Sequence, residues 1–202
     1  MAAAFRIGTG AGFSSDRLDP AVDLAERGAL DVMVLECLGE RTVAFGHRDR
    51  MADPARGYNS HLERRMRALL PPLRAAGTTM VTNMGAANPR AAAERTIEVA
   101  RKLGLAGLKV ACIEGDDVSS AVPPNQPLMD VPGSLADIKM PVVGMNAYLG
   151  ADAIIPALEE GAEIIIGGRL ADPSMFLAPA AHHFGWNAMD MPLMGAGSLV
   201  GH

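Results

Sequence analysis

One pattern, repeated along the chain, limits what this sequence can fold into: a short apolar run, a turn of small and polar residues, then a helical stretch. The runs fall near residues 4–8, 31–35, 79–83, 108–113, 142–146 and 163–167. Each is continuously apolar over only a few residues, the mark of a strand buried on both faces. The segments between them are long enough for helical crossovers, which join strands in parallel with a single handedness. The expected fold is therefore α/β, a mostly parallel sheet with helices on both faces, three-layered and Rossmann-like. A partial (β/α) barrel has the same rhythm and stays open as the alternative. Residues 1–202 are expected to form one α/β domain, because a chain of this length can enclose one sizeable core.

The stretch from Thr79 to Arg90 shows the pattern most fully. Thr79-Met80-Val81-Thr82 reads as a buried strand, Asn88 as a helix N-cap, and Pro89 as the first helical residue. Between them, Asn83-Met84-Gly85-Ala86-Ala87 is expected to turn backbone amides toward a ligand, since helix N-termini carry unpaired N–H groups and partial positive charge. Further expectations concern the connections. Pro71-Pro72 should break or kink the helix read over residues 60–76. Residues 118–140 are proline-rich and read as one long irregular connection. In the tail, Leu193, Met194, Leu199 and Val200 should expose apolar surface that promotes association, so a homo-oligomer is expected.

Charge and cysteine content exclude several classes of function. A net charge of −5 and a pI near 5.5 leave no basic surface for nucleic acid or for an anionic membrane. Arg64, Arg65 and Arg67 read as a solvated helix face. No apolar run approaches the roughly 20 residues that span a bilayer. Cys37 and Cys112 show no CxxC spacing, and no secretory leader is evident; two free thiols in a reducing cytoplasm are expected.

In a parallel sheet all strand C-termini share one edge, so the polar residues that follow the runs should converge there. Glu36 and Glu40 form one acidic pair, with Arg41 able to set their pKa values apart. Glu114, Asp116 and Asp117 form another group, able to hold Mg²⁺ or to supply a general acid. Gly8, Gly10 and Gly12 do not match the dinucleotide fingerprint, although Glu36 stands where a ribose-binding acid would. They fit a tight turn, or a phosphate or carboxylate site built from backbone amides. Asn88-Pro89 and Asp172-Pro173 read first as helix starts. Arg169 follows two glycines and suits a bidentate grip on a carboxylate or phosphate. His182-His183 reads as structural. No Ser-His-Asp or Cys-His set can be assembled from local signals.

Five blocks then resemble one family. Ile7-Gly8-Thr9-Gly10-Ala11-Gly12-Phe13-Ser14-Ser15-Asp16-Arg17 is similar to the opening signature of the acyclic terpene utilisation (AtuA-like) family, with Ser15 where glycine is expected. Val81 to Pro89, Glu114-Gly115-Asp116-Asp117, Asn146 to Ala151 and Gly168 to Ser174 resemble its later signatures, in the family's order. Members are longer, so the resemblance implies the N-terminal part of a bacterial protein whose remaining C-terminal part would complete it. It also implies a role in the breakdown of citronellol- and geraniol-type terpenoids through branched acyl-CoA intermediates. On that basis the expected substrate is a small branched acid or its CoA thioester, with no cofactor named and Mg²⁺ only a weak possibility. One expectation is an enzyme of hydration, lyase or acyl-transfer type. Asn83 and the turn amides, with Gly85, would polarise a carbonyl; Arg169, Asn88, Asp172 and the Gly8–Gly12 turn would bind the anion; Glu36, Glu114 or Asp116 would move the proton. A nucleotide-dependent oxidoreductase and a non-catalytic ligand-binding subunit are the alternatives.

Overall fold

The computed structural model describes residues 4–202. Five strands form one sheet in the order β1-β2-β3-β5-β4: β1 (Ile7–Ala11), β2 (Val32–Leu35), β3 (Thr79–Thr82), β4 (Val110–Ile113) and β5 (Ile164–Gly167). Every neighbouring pair is parallel. The sheet is open, which settles the choice against a closed barrel.

Side chains along the strands alternate between two cores, as the pleat requires. Met33, Leu35, Met80, Ile164 and Ile166 meet α1 (Asp19–Arg27), α3 (Leu62–Ala76) and α4 (Pro89–Lys102) on one face. Val32, Val34, Val81 and Ile165 meet α5 (Ala151–Glu159) and α6 (Ser174–Phe184) on the other. The result is a three-layer α/β domain. The remaining helix of the first half, α2 (Glu40–Ala52), starts from the C-terminal end of β2 and buries only Gly46 and His47.

Three local expectations need correction. The run at 142–146 is not a strand of the sheet: β5 pairs with both β3 and β4, so no position is left between them. Pro141 cannot donate to a ladder, and Val142 and Val143 remain 46% and 42% exposed. The segment instead crosses the sheet's C-terminal edge, with isolated bridges from Asn146 to Asp117 and from Leu149 to Leu170. Secondly, α3 continues through Pro71-Pro72 to Ala76, because Leu69, Leu70 and Leu73 are anchored in the core on either side of the prolines. Thirdly, β1 extends to Ala11, so Gly8 and Gly10 lie within a strand rather than in a turn.

Residues 118–140 are irregular apart from an isolated bridge between Pro127 and Ser134 and a 3₁₀ turn at Leu135–Asp137. The tail forms α7 (Met191–Gly201), capped by the Asp190 carboxylate on the Leu193 N–H at 3.2 Å. Leu199 and Val200 are 79% and 88% exposed, while Met194 reaches the core. Among the described residues, no helix is long and apolar enough to cross a membrane.

The β3–α4 turn is pinned to β5 by a close backbone contact. The Gly85 N–H donates to Gly167 O at 3.0 Å, and a Cβ at residue 85 would lie 2.4 Å from that oxygen. Gly85→Ala should therefore lower the unfolding free energy by about 1–3 kcal/mol, the cost of forced overpacking. Gly12→Ala, with nothing within 4 Å of its Cβ position, should stay within about 0.5 kcal/mol of wild type. Urea unfolding of the two variants checks the contrast.

Candidate functional site

β2 delivers Glu36-Cys37-Leu38-Gly39 to the start of α2. There Gly39 is extended, and the Thr42 hydroxyl accepts its N–H at 2.8 Å. One oxygen of Glu36 accepts from the Leu38 N–H at 2.8 Å and from Asn83 Nδ2 at 3.0 Å. Asn83 is fully buried at the end of β3, and its own oxygen accepts the Cys37 N–H at 2.7 Å. Both ends of the Asn83 amide are thus committed to protein, and they fix how Glu36 points.

Arg169 follows Gly167-Gly168 at the end of β5 and is 4% exposed. Its terminal nitrogens donate to Leu38 O, to Glu40 Oε1 at 2.5 Å and to the Tyr148 hydroxyl. Tyr148 in turn donates to Glu40 at 2.7 Å, and its ring centroid is 4.1 Å from the guanidinium carbon. The Arg169 N–H donates to Asp116 Oδ2 at 2.8 Å, and Asn146 Nδ2 donates to the same oxygen at 2.9 Å. Asn146 Oδ1 lies 2.7 Å from Nε2 of the buried His47. Because the Asn146 nitrogen faces a carboxylate, its oxygen must accept, and His47 must carry the proton on Nε2. Gly168 makes this possible, for a Cβ there would lie 2.4 Å from Asp116 Oδ2 and 2.7 Å from Ala86 O. The network joins α2, the crossing segment, and the ends of β4 and β5.

Glu36, Glu40, Arg41, Tyr148, Arg169 and Asp172 line a cavity of about 260 Å³ beside the turn that carries Phe13 and Ser14. Asp172 Oδ1 is buried with no hydrogen-bond donor in reach. The Glu40 carboxyl is held below its ordinary value by its own backbone amide and by the Arg169 charge.

The residues singled out in the sequence divide into three groups. Glu36, Arg169 and Asp172 meet at the cavity, with Asn83 and Asp116 buried behind it. Glu114 instead faces solvent in an ion pair with Arg90. Asp117 accepts from the Ser119 N–H and hydroxyl at 3.1 and 2.7 Å. Asn88 caps α4 and donates to Pro54 O and Arg56 O at 2.9 and 2.7 Å, away from the cavity.

The turn amides also have acceptors within the chain. Met84 donates to Thr82 Oγ1, Ala86 to Asn83 O, Ala87 to Gly57 O and Asn88 to Gly85 O. The Gly12 N–H is taken by the Asp16 carboxylate at 2.8 Å. Gly8 and Gly10 make room for Leu30 and for Leu35 and Met33. Among the described residues, no group of three or more His, Cys, Asp or Glu side chains is disposed to hold a metal ion.

Two features lay outside the sequence reading. His47 sits among Arg48, Asp49 and Arg50 on a polar helix, so nothing local distinguishes it from a solvated residue. Arg65 is not on a solvated face: it is 2% exposed and donates to Cys37 Sγ and to Asp16 O, at 2.5 and 3.0 Å. Burial pushes the Cys37 thiol up to about 12 despite the Arg65 charge beside it. Cys112 is raised to about 11 by partial burial and then by Glu114. Neither thiol is ionised near neutral pH.

The family model described as acyclic terpene utilisation family protein AtuA matches residues 5–202. No curated protein and no solved structure gives a match.

Two predictions follow from the three acids after β4 and from Glu40. Asp116→Ala leaves the Arg169 N–H and Asn146 Nδ2 without their acceptor and should cost about 1–3 kcal/mol of stability. Glu114→Ala breaks only an exposed pair and should cost at most about 1 kcal/mol, both measured by denaturant unfolding. Because the folded-state pKa of Glu40 is depressed, its contribution is present above the ordinary glutamate value of about 4.3. It is lost as pH falls through the lowered folded value. The stability difference between wild type and Glu40→Gln should therefore be constant at neutral pH and shrink only on acidification.

Proposed function

Since the chain belongs to the acyclic terpene utilisation family AtuA, we propose that it is an enzyme of acyclic terpenoid breakdown acting on a branched carboxylic acid or its CoA thioester. The chemistry we assign is hydration or its reverse, elimination, at a carbon–carbon double bond near the carbonyl. Glu36 is the residue proposed to move the proton. In the hydration direction its carboxylate takes a proton from water as the water oxygen bonds to carbon, and carbon receives a proton from solvent or a neighbouring acid.

The observation that carries this reading is the way Glu36 is held. One of its oxygens is fixed by Leu38 and Asn83, at the wall of the cavity shared with Asp172, Tyr148 and Arg169. A general base has to be aimed before it can work, and Glu36 is aimed from two directions. The glycines of β1 are used in packing, so the reading does not rely on a nucleotide at that strand.

Proton transfer to and from carbon leaves an isotopic record. In deuterated water the protein should introduce deuterium into unsaturated acids of the citronellol and geraniol series, or into their CoA thioesters, read by mass spectrometry. Glu36→Gln keeps the side chain's shape and should reduce the rate by about 10²–10⁴ while leaving ligand affinity nearly unchanged. Incorporation at the wild-type rate in that variant would remove Glu36 from the role.

A further inference from the structure

Ser14 stands where two cavities meet. It lines the cavity of about 260 Å³ that holds Glu36 and a neighbouring one of about 170 Å³, and Leu38 and Thr42 line both as well. The turn that carries it is fastened at both ends. The Gly12 N–H donates to Asp16 Oδ2 at 2.8 Å, and the Asp16 N–H donates to Phe13 O at 3.1 Å. The buried Arg65 guanidinium donates to Asp16 O at 3.0 Å and so ties the turn to α3. Asn59, 8% exposed, then reaches the serine itself, with Nδ2 3.0 Å from Oγ. Its backbone N–H donates to Met84 O at 2.9 Å, in the β3–α4 turn that also carries Asn83. One turn therefore sets both Glu36, through Asn83, and Ser14, through Asn59.

The His61 N–H, which can only donate, lies 2.9 Å from Asn59 Oδ1. That atom is therefore the amide oxygen, and the atom facing Ser14 is the amide nitrogen. The serine oxygen accepts, which leaves its proton for another acceptor, and among the described residues none takes it. The other two hydroxyls of the Glu36 cavity differ. Thr42 accepts from the Gly39 N–H and donates to Gly39 O, while Tyr148 donates to Glu40. Among the described residues, Ser14 thus brings the one uncommitted hydroxyl proton to that cavity. Glu36 brings a free carboxylate oxygen, since both hydrogen bonds it receives fall on Oε1. The two side chains are not bonded to each other, so a ligand between them would offer an acceptor to one and a proton to the other.

We propose that Ser14 is a substrate-binding residue, whose hydroxyl donates to the carbonyl or carboxylate oxygen of the acid or thioester on which Glu36 acts. The proposal deepens the functional reading above and rests on it for the acyl class of the ligand. The free donor stands on the Asn59 geometry alone. As water adds to a double bond conjugated with a carbonyl, negative charge gathers on the carbonyl oxygen. A donor held there binds the transition state more strongly than the ground state.

The test is isothermal titration calorimetry of the full chain with dimethylacrylic acid, a small branched acid with a conjugated double bond, and with its N-acetylcysteamine thioester. Whichever probe binds names the source of the oxygen. Ser14→Ala should weaken the neutral thioester about two- to tenfold, or the charged acid about ten- to a hundredfold. Ser14→Thr keeps the hydroxyl and should recover part of the loss. Asn59→Asp keeps an acceptor for the His61 N–H but turns a carboxylate oxygen toward Ser14, which captures the serine proton. It should weaken binding with Ser14 in place, and should cost less in the Ser14→Ala background than alone. Binding of neither probe, unchanged affinity in Ser14→Ala, or equal effects of Asn59→Asp in both backgrounds overturns the proposal. The two readings fail separately. Ser14-dependent binding beside a silent Glu36→Gln keeps the donor and removes the base. A Glu36→Gln effect on deuterium incorporation beside Ser14-independent binding does the reverse.

Discussion

A guanidinium withdrawn from water has to be surrounded by acceptors, and the C-terminal edge of this sheet is arranged around that demand. Arg169 is almost completely buried, and its ligands come from distant parts of the chain: Leu38 O and Glu40 before and within α2, and Tyr148 in the crossing segment. Leaving such a charge unsatisfied would cost several kcal/mol, so each of these elements is held to the others through it. Its backbone is fixed independently by Asp116, which extends the same constraint to Asn146 and His47. The exposed partner, Glu40, contributes mainly by neutralising the charge at the cavity's mouth.

This economy explains why two kinds of group that could have bound a ligand do not face one. The amides between Thr82 and Pro89 are used to fasten the β3–α4 turn to β5 and to the loop at Gly57. Buried N–H groups need acceptors whether or not a ligand is present, and here the chain supplies them. From the end of β2, what remains available at the cavity is a side chain, Glu36, with one oxygen fixed. The chemistry proposed here is accordingly a side-chain chemistry of proton transfer.

Much of the fold was legible because apolar runs and helix caps act locally. Five of the six runs became parallel strands, and Asn88 and Pro89 start α4 as their types require. Strand order is not a local property, however. The run at 142–146 has the composition of a strand, but β5 occupies the place beside β3, and the segment was diverted across the edge. The site was legible to the same extent. Glu36, Arg169 and Asp172 could be found because each follows a strand, and a parallel sheet brings strand ends together. His47 could not, since its partner Asn146 lies 99 residues away and the three residues that follow it are all charged. Arg65 misled for the opposite reason: Arg64 and Arg67 beside it are exposed, whereas Arg65 shares the buried face of Leu62 and Leu69, where Cys37 Sγ and Asp16 O accept from it.

The central claim is that Arg169 spends its charge on the fold of the site and not on gripping a ligand. The unfolding free energy of Arg169→Met, measured by urea denaturation without any ligand, tests this most directly. Removing the donor leaves Leu38 O, Glu40 and Tyr148 without their shared partner, and a loss of about 2 kcal/mol or more is expected. A variant as stable as wild type would contradict the account and return Arg169 to the role of a free anion anchor.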